Sequence, residues 1–250
     1  MPTFDSPYRN ELKYSMSGAR AQAILDRVLP FMRPDTHGET YTVSSIYLDS
    51  SSLLLFNDSD VGKMNRHKVR VRTYGRIPAH EVYLEVKERR NRMIRKQRVA
   101  VRTENLASAL TGRGYERELL NVPGNGVDRC SLDLFLMRCR EIDARTVSMV
   151  RYERSAYIGI FQPELRLTFD RGISTYPVAA LGEDAWNSCN FERQLNPGQV
   201  VLEVKCGGQL PDWMTCIIRD FDLYRRSFSK YVLCTKLLQT EGAVAVESAV

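Results

Sequence analysis

Residues 67–102 read HKVRVRTYGRIPAHEVYLEVKERRNRMIRKQRVAVR, and the pattern in this stretch decides the fold. It holds 12 of the chain's 36 lysines and arginines but only three acids, Glu81, Glu85 and Glu88. Its local charge is +9 (12 − 3), against +6 for all 250 residues, so the remainder sums to −3 (6 − 9). Basic charge is therefore a local device. Lys68, Arg70, Arg72 and Tyr74 alternate with Val69, Val71 and Thr73, the period of two that gives a strand two chemically different faces. Tyr83, Glu85 and Lys87 alternate with Val82, Leu84 and Val86, and Lys96, Arg98 and Arg102 with Gln97, Val99 and Val101. Three successive strands, turning at 75–80 and 88–93, thus put their cations on one face, which suits a polyanion.

Working outward, the same alternation returns at 8–14, 146–158, 164–171 and 200–205, and 40–49 is rich in β-branched and aromatic residues. Leu84-Glu85-Val86-Lys87 recurs as Leu202-Glu203-Val204-Lys205, and Glu11-Leu12-Lys13 repeats the Glu-x-Lys spacing. Ser17 predicts the N-cap of a helix to about Phe31, with Ala21, Ile24, Leu25, Val28 and Leu29 as its apolar stripe. A short helix followed by a loop is expected in the run 104–121, and further helices near 130–140, from Pro211, and after Ser227. Residues 50–65 read as a loop or helical turn, and 172–198 as loop-rich. Gly112, Gly114, Pro123, Gly124 and Gly126 mark breaks. No boundary divides the pattern, so one domain over 1–240 and a frayed tail at 241–250 are expected.

Composition narrows the class. The chain is 43% hydrophobic and 26% charged, as in ordinary soluble domains, and no stretch approaches the roughly 20 apolar residues of a membrane span. The first residues, MPTFDSPYRNELKY, lack the order of a signal peptide. The six cysteines show no C-x-x-C spacing and are expected to be reduced and structural, which implies a cytoplasmic location.

A sheet with one charged face can simply expose it to water. Here the charged faces are biased to Lys and Arg, the helices at 17–31 and 211–224 are enough to cover an apolar surface, and many strands favour closure, which removes exposed edges. A closed antiparallel barrel with its apolar face outward would turn the charged faces into a basic tunnel. Such an interior is costly when empty and is expected to hold a polyanion, water and a metal.

The runs RNELKY at 9–14, SIYLDS at 45–50, KVRVRTYG at 68–75, YLEVKERRNRMIRKQRV at 83–99, RYERSAY at 151–157, LRLTFDR at 165–171, VLEVK at 201–205 and FSKY at 228–231 together resemble the VTC-domain branch of the triphosphate tunnel metalloenzymes. The resemblance spans 9–231. It implies an α+β fold, a closed eight-stranded antiparallel β tunnel with helices packed outside. It further implies synthesis of inorganic polyphosphate from ATP with Mn2+ or Mg2+. Position by position, Lys13, Arg70, Arg72, Lys87, Lys96 and Arg98 resemble the family's phosphate-binding wall, with Arg154 and Arg166 on later strands and Lys205 completing it. Glu203 resembles the metal-holding carboxylate, and Ser229 and Lys230 the elements closing one mouth. Two positions depart from the wider pattern: Arg9 stands where tunnel enzymes often carry Glu, and Arg225, Arg226 and Ser227 where members tend to carry a Lys.

These residue types suit phosphoryl transfer, which needs positioning and charge stabilisation more than covalent chemistry. Arginine grips phosphate oxygens in pairs and lysine acts as a point charge. Glu85 and Glu11 are second candidates as metal ligands, or else salt-bridge partners of wall cations. His37, His67 and His80 lie in or beside loops and are expected to be solvated. An acceptor phosphate is already ionised near neutral pH and needs no general base, which favours a polymerase. A tunnel triphosphatase acting on tripolyphosphate or nucleoside triphosphate is the alternative, as is a polyphosphate-binding module without turnover. Tyr74 and Tyr83 are the only aromatics on the basic faces, so nucleic acid is not expected as a partner. The expected partners are ATP and inorganic polyphosphate, with a membrane-bound or regulatory protein left open.

Overall fold

The structure is a computed structural model describing residues 10–36, 40–91, 93–111, 127–187 and 192–244. The expectations for Arg9, His37, the breakers Gly112, Gly114, Pro123, Gly124 and Gly126, and the end of the tail fall outside these residues.

Ten strands form one antiparallel sheet: β1 (Asn10–Ser17), β2 (Met32–Pro34), β3 (Tyr41–Asp49), β4 (Arg66–Tyr74), β5 (Glu81–Arg90), β6 (Met93–Arg102), β7 (Arg145–Gly159), β8 (Arg166–Pro177), β9 (Arg193–Gln194) and β10 (Gln199–Cys206). Among the described residues six α-helices accompany them: α1 (Gly18–Val28), α2 (Leu54–Asp60), α3 (Leu106–Thr111), α4 (Val127–Glu141), α5 (Asp212–Asp220) and α6 (Lys230–Thr240). The main path runs β1-β10-β8-β7-β3-β4-β5-β6, with β2 on β7 and β9 on β8.

Alternation fixes the two faces. Val69, Val71, Val82, Leu84, Val86, Val99 and Val101 turn outward and pack with Leu106 and Ala109 of α3 and Leu132, Phe135 and Leu136 of α4. At the other end of the sheet, Leu167, Phe169, Leu202 and Val204 meet Ala21, Ile24, Leu25 and Val28 of α1 and Met214 and Ile217 of α5. Each such buried side chain contributes about 1.5–3 kcal/mol, so a one-residue slip in any strand would expose its apolar set and is strongly disfavoured. The α1 stripe is as expected except that Leu29 is 45% exposed, beyond the helix end. Ser17 does cap α1, its Oγ accepting from the Arg20 amide at 3.4 Å. Asp49 starts α2 from the end of β3, its carboxylate accepting from the Leu55 and Phe56 amides at 2.8 and 2.7 Å.

Four expectations need correction. The sheet is not a closed eight-stranded tunnel: it has ten strands, and β1 and β6 remain its two edges. One reason is visible at β1, where the Arg226 amide donates to the Lys13 carbonyl at 3.0 Å and so occupies a free edge group. The curl is nevertheless deep enough for Lys87 of β5 to reach Glu11 of β1 at 3.2 Å. Second, the helices are not all outside. Tyr231, Val232 and Cys234 of α6 pack against Val43, Tyr47, Val150, Tyr152, Ile173 and Val201, residues that share the inward face with the cations, so part of the interior is apolar. Third, β8 continues to Pro177 rather than stopping at 171, because a bulge opposite Tyr152 at Gly172 (φ 56°) lets the ladder resume at Ser174. His67 likewise lies within β4 and is half-buried rather than solvated in a loop. Burial and the Arg138 guanidinium push its pKa down. His80 is exposed in the turn before β5.

Candidate functional site

The inward face stacks the predicted residues in rows. Arg72 lies opposite Tyr83, Arg70 opposite Glu85, Lys68 opposite Lys87 and Arg66 opposite Arg89. Across the next pair, Glu85 faces Arg98 and Lys87 faces Lys96. Lys13 faces Glu203 and Glu11 faces Lys205, while Lys205 also faces Arg166 and Arg154 faces Asp170. Every sequence-predicted site residue therefore shares this face or, for Ser229 and Lys230, stands at the start of α6.

Three carboxylate centres organise the cations. Glu85 is 1% exposed. Arg70 reaches its Oε2 with Nε and Nη2, both at 2.6 Å, Lys96 reaches Oε1 at 2.6 Å, and Arg72 stands 3.8 Å away. Burial alone would raise the Glu85 pKa, but Arg70, Arg72 and Lys96 outweigh it and hold it well below the usual range. The geometry makes Glu85 a salt-bridge partner of Arg70 and Lys96. One carboxylate cannot neutralise three cations, and lysine yields: burial, with Arg70 and Arg72 nearby, brings Lys96 down to about 7 despite its contact with Glu85.

Asp170 is the second centre, fully buried. Its carboxylate accepts from Arg154 at 2.7 and 2.8 Å and pairs with Lys230 at 2.5 Å. Burial opposes its ionisation, but Lys230 and Arg154 bring its pKa to about 2. Sequence reading missed this residue, although its place in LRLTFDR, two positions from Thr168 and four from Arg166, put it on the inward face.

The third centre joins Glu203 and Glu11, whose side chains meet. Lys205 lies 3.4 Å and Arg154 3.9 Å from Glu203, and Lys13 and Lys87 lie 3.0 and 3.2 Å from Glu11. Burial opposes the Glu203 charge, and Lys205, Glu11, Lys13 and Arg154 together keep it well below the usual carboxylate range. Burial works against the Lys13 ammonium, and Glu203 and Glu11 more than offset it, raising its pKa. Among the described residues, no group of three or more His, Cys, Asp and Glu side chains is placed to hold a metal. Two adjoining carboxylates suit instead an ion that draws its other oxygens from substrate and water.

The remaining cations reach other groups. Arg166 pairs with Asp35 at 3.3 Å near the rim. Arg98 donates to the Tyr74 hydroxyl at 3.4 Å and lies over the Tyr83 ring at 4.9 Å. Lys68, absent from the predicted site, donates to Ser229 Oγ at 2.6 Å, and Lys13 donates to the Phe228 carbonyl at 3.2 Å. Ser229 also caps α6 through the Val232 amide at 3.3 Å. The start of α6 is thus held by inward cations from two strands and by Asp170.

Among solved structures, the fold is similar to that of a candidate adenylyl cyclase from Hippeastrum described as having a dominant triphosphatase activity. The identity is 13%, the TM-score 0.51, and 92% of this chain and 96% of that one are covered. A candidate adenylate cyclase from Vibrio parahaemolyticus gives 12% identity and a TM-score of 0.49 over 92% and 98% of the chains. The PH1819 protein from Pyrococcus horikoshii gives 13% and 0.45 over 93% and 99%. None of the curated proteins matches the chain significantly. No described helix is long and apolar enough to cross a membrane. The VTC domain profile matches residues 8–239, and the chain belongs to the VTC domain family.

Proposed function

We propose that residues 1–240 form a metal-dependent polyphosphate polymerase that transfers the γ-phosphate of ATP to a growing inorganic polyphosphate chain. The observation that carries this reading is the linear order of cations along one wall, Arg72, Arg70, Lys68 and Arg66 facing Tyr83, Glu85, Lys87 and Arg89. Such a row matches a string of phosphates rather than a single anion. Arg70, Arg72, Lys96 and Arg98 would orient the triphosphate, and Lys13, Lys87, Arg154 and Lys205 would take up charge spreading over the transferred group. Lys230 and Ser229 place donors from the N-terminus of α6 on the same path. Glu203, with Glu11, fits Mn2+ or Mg2+, which when bound supplies Lewis-acid stabilisation of phosphoryl oxygens. The terminal phosphate of the acceptor is already anionic and needs no base. This agrees with the placement of His67 on the helix-covered side and of His80 in an exposed turn.

A tunnel triphosphatase is the second reading, supported by the activity of the Hippeastrum protein. The same wall would hold the substrate, and the Glu11–Glu203 pair would orient a water. Incubation of the purified protein with ATP and manganese, followed by phosphorus NMR and a polyphosphate-stained gel, separates the readings. Long chains with ADP are expected. Orthophosphate without polymer overturns the polymerase in favour of the hydrolase, and polyanion binding with no ATP consumed overturns both.

A further inference from the structure

The inward wall changes chemistry along its length. At one end three tyrosines cluster: Tyr41 meets Tyr74 edge-on with ring centroids 5.9 Å apart, and Tyr74 meets Tyr83 edge-on at 5.4 Å. The Arg98 guanidinium covers the face of Tyr83 at 4.9 Å and donates to the Tyr74 hydroxyl. From there the inward positions of β4 and β5 are all charged, Arg70 opposite Glu85, Lys68 opposite Lys87 and Arg66 opposite Arg89, with Tyr47 of β3 beside Arg70. A nucleoside triphosphate has the same polarity, an aromatic base at one end and anions at the other.

We infer that Tyr74, Tyr83 and Arg98 form a stacking site for the nucleobase, a purine, of the nucleoside triphosphate whose phosphates lie along the cation rows. The inference rests on the proposed use of such a substrate and adds where its base is held.

Three features support a ligand role over a packing role. Tyr41 and Tyr74 pack against the apolar cluster around Val43, Tyr47 and Tyr231, whereas Tyr83 belongs to none of the buried apolar clusters and is only half-buried beside an exposed Arg98. Its hydroxyl donates to the Glu81 carboxylate, which pins the ring while leaving its face to Arg98. A tyrosine face and a guanidinium plane are the two surfaces on which single bases stack in proteins. The spacing also fits. Tyr83 sits opposite Arg72, and the next inward position along the strand, Glu85 with Arg70 and Lys96 around it, is roughly 7 Å farther on. A base on Tyr83 therefore leads its phosphates onto Arg72 and then Arg70, and points the γ-phosphate toward Lys68, Lys87 and Lys96.

Stacking reads ring area rather than edge pattern. Adenine and guanine are accordingly expected to bind alike, and both better than uracil.

The test is equilibrium calorimetry with non-hydrolysable analogues of ATP, GTP and UTP and with ribose triphosphate, which keeps the phosphates and lacks the base. Wild-type protein is expected to bind the purine analogues about tenfold tighter than ribose triphosphate, the order of one base–aromatic stack, with the uridine analogue between. Tyr83→Ala is expected to erase that difference and leave ribose triphosphate within about twofold, and Tyr83→Phe to keep it. Equal binding of ATP analogue and ribose triphosphate by the wild type overturns the inference, whatever the variants do. So does a Tyr83→Ala protein that retains the preference. Product analysis is scored separately: a purine preference without polymer overturns the polymerase and leaves the base site standing.

Discussion

The Lys68 ammonium lies 2.6 Å from the Ser229 hydroxyl, so an inward cation of the sheet is tied to the cap of the helix that enters it. Lys68 makes no ion pair among the described residues. Burial lowers its pKa to about 7, and Lys13, Lys87, Arg70 and Arg66 push the same way. An anion bound beside Lys68 therefore favours its protonated form.

This predicts proton uptake on binding. A phosphate chain beside Lys68 and Lys96 stabilises their charged forms and moves both pKa values up from about 7. In the window above that value the complex holds more protons than the free protein, so affinity must strengthen as pH falls from about 9 to about 7 and then level off. Calorimetry of tripolyphosphate in buffers of different ionisation enthalpy is expected to show about one proton taken up near neutrality. Lys68→Met is expected to reduce it. Binding accompanied by proton release would contradict this account. The ligand-free protein should behave oppositely. Its lysines bind protons more weakly than the unfolded chain between about 7 and the ordinary value of 10.5, so its stability rises with pH across that interval.

Glu85 gives a second prediction. It sits between Arg70 at 2.6 Å and Lys96 at 2.6 Å with Arg72 at 3.8 Å, and Glu85→Gln leaves the buried Arg72, the largely buried Arg70 and the more accessible Lys96 without their counter-charge. Breaking a buried pair from one side costs about 3–5 kcal/mol. Thermal unfolding of the variant is expected to show that loss, and millimolar tripolyphosphate is expected to restore much of it by supplying the missing charge. A variant as stable as the wild type without ligand would remove Glu85 from this role. Because the Glu85 pKa is held down in the folded state, its contribution is present above the usual carboxylate range and is lost as pH falls through the lowered value.

The strands and their charged faces were legible because alternation is a local signal. Val69, Val71, Val82, Leu84 and Val86 announce the outer face residue by residue, and the cations between them announce the inner one. What escaped was set by distant partners. Asp170 reads as one acid among many until Arg154 and Lys230 converge on it, and the strands β2 and β9, of three and two residues, are too short to show a period. At the β1 edge the Lys13 carbonyl is taken by the Arg226 amide, 213 positions away in sequence. The inward seat of α6 was hidden because a helix with Tyr231, Val232 and Cys234 on its buried side reads the same whether it covers a barrel or enters it. Glu85 reads in the sequence as either a metal ligand or a salt-bridge partner, and its contacts with Arg70 and Lys96 at 2.6 Å appear only once the strands are paired.

Asp170 supplies a third prediction. Its 2.5 Å contact with Lys230 and paired bonds to Arg154 fasten the first residue of α6 to β8 and β7. Asp170→Asn keeps the shape and removes the charge, so Lys230 and Arg154 lose their common partner and α6 loosens. Hydrogen exchange in residues 230–240 is expected to quicken by about tenfold or more, the measure of 1–3 kcal/mol of lost local stability. Exchange in β4–β6 should change little. Uniform acceleration across the sheet would mean that Asp170 supports the fold at large rather than the helix. Catalysis should suffer too, through Arg154, with a raised KM for the triphosphate.

Glu203 separates chemistry from binding. Lys205, Lys13 and Arg154 surround it, so Glu203→Gln makes the site more positive and should leave polyanion affinity equal or higher. Its proposed task, holding the divalent ion with Glu11, is lost, and turnover should fall roughly hundredfold, the order expected when one electrostatic stabiliser of a transition state is removed. Glu11→Gln should have a smaller effect, since Lys13 and Lys87 already share its charge at 3.0 and 3.2 Å. Measuring kcat and the dissociation constant for tripolyphosphate on both variants, across a manganese titration, checks the division of labour. A Glu203→Gln protein with wild-type turnover at every manganese concentration would move the metal elsewhere. Weakened polyanion binding without a change in kcat would make Glu203 a support for Lys205 and Arg154 and nothing more.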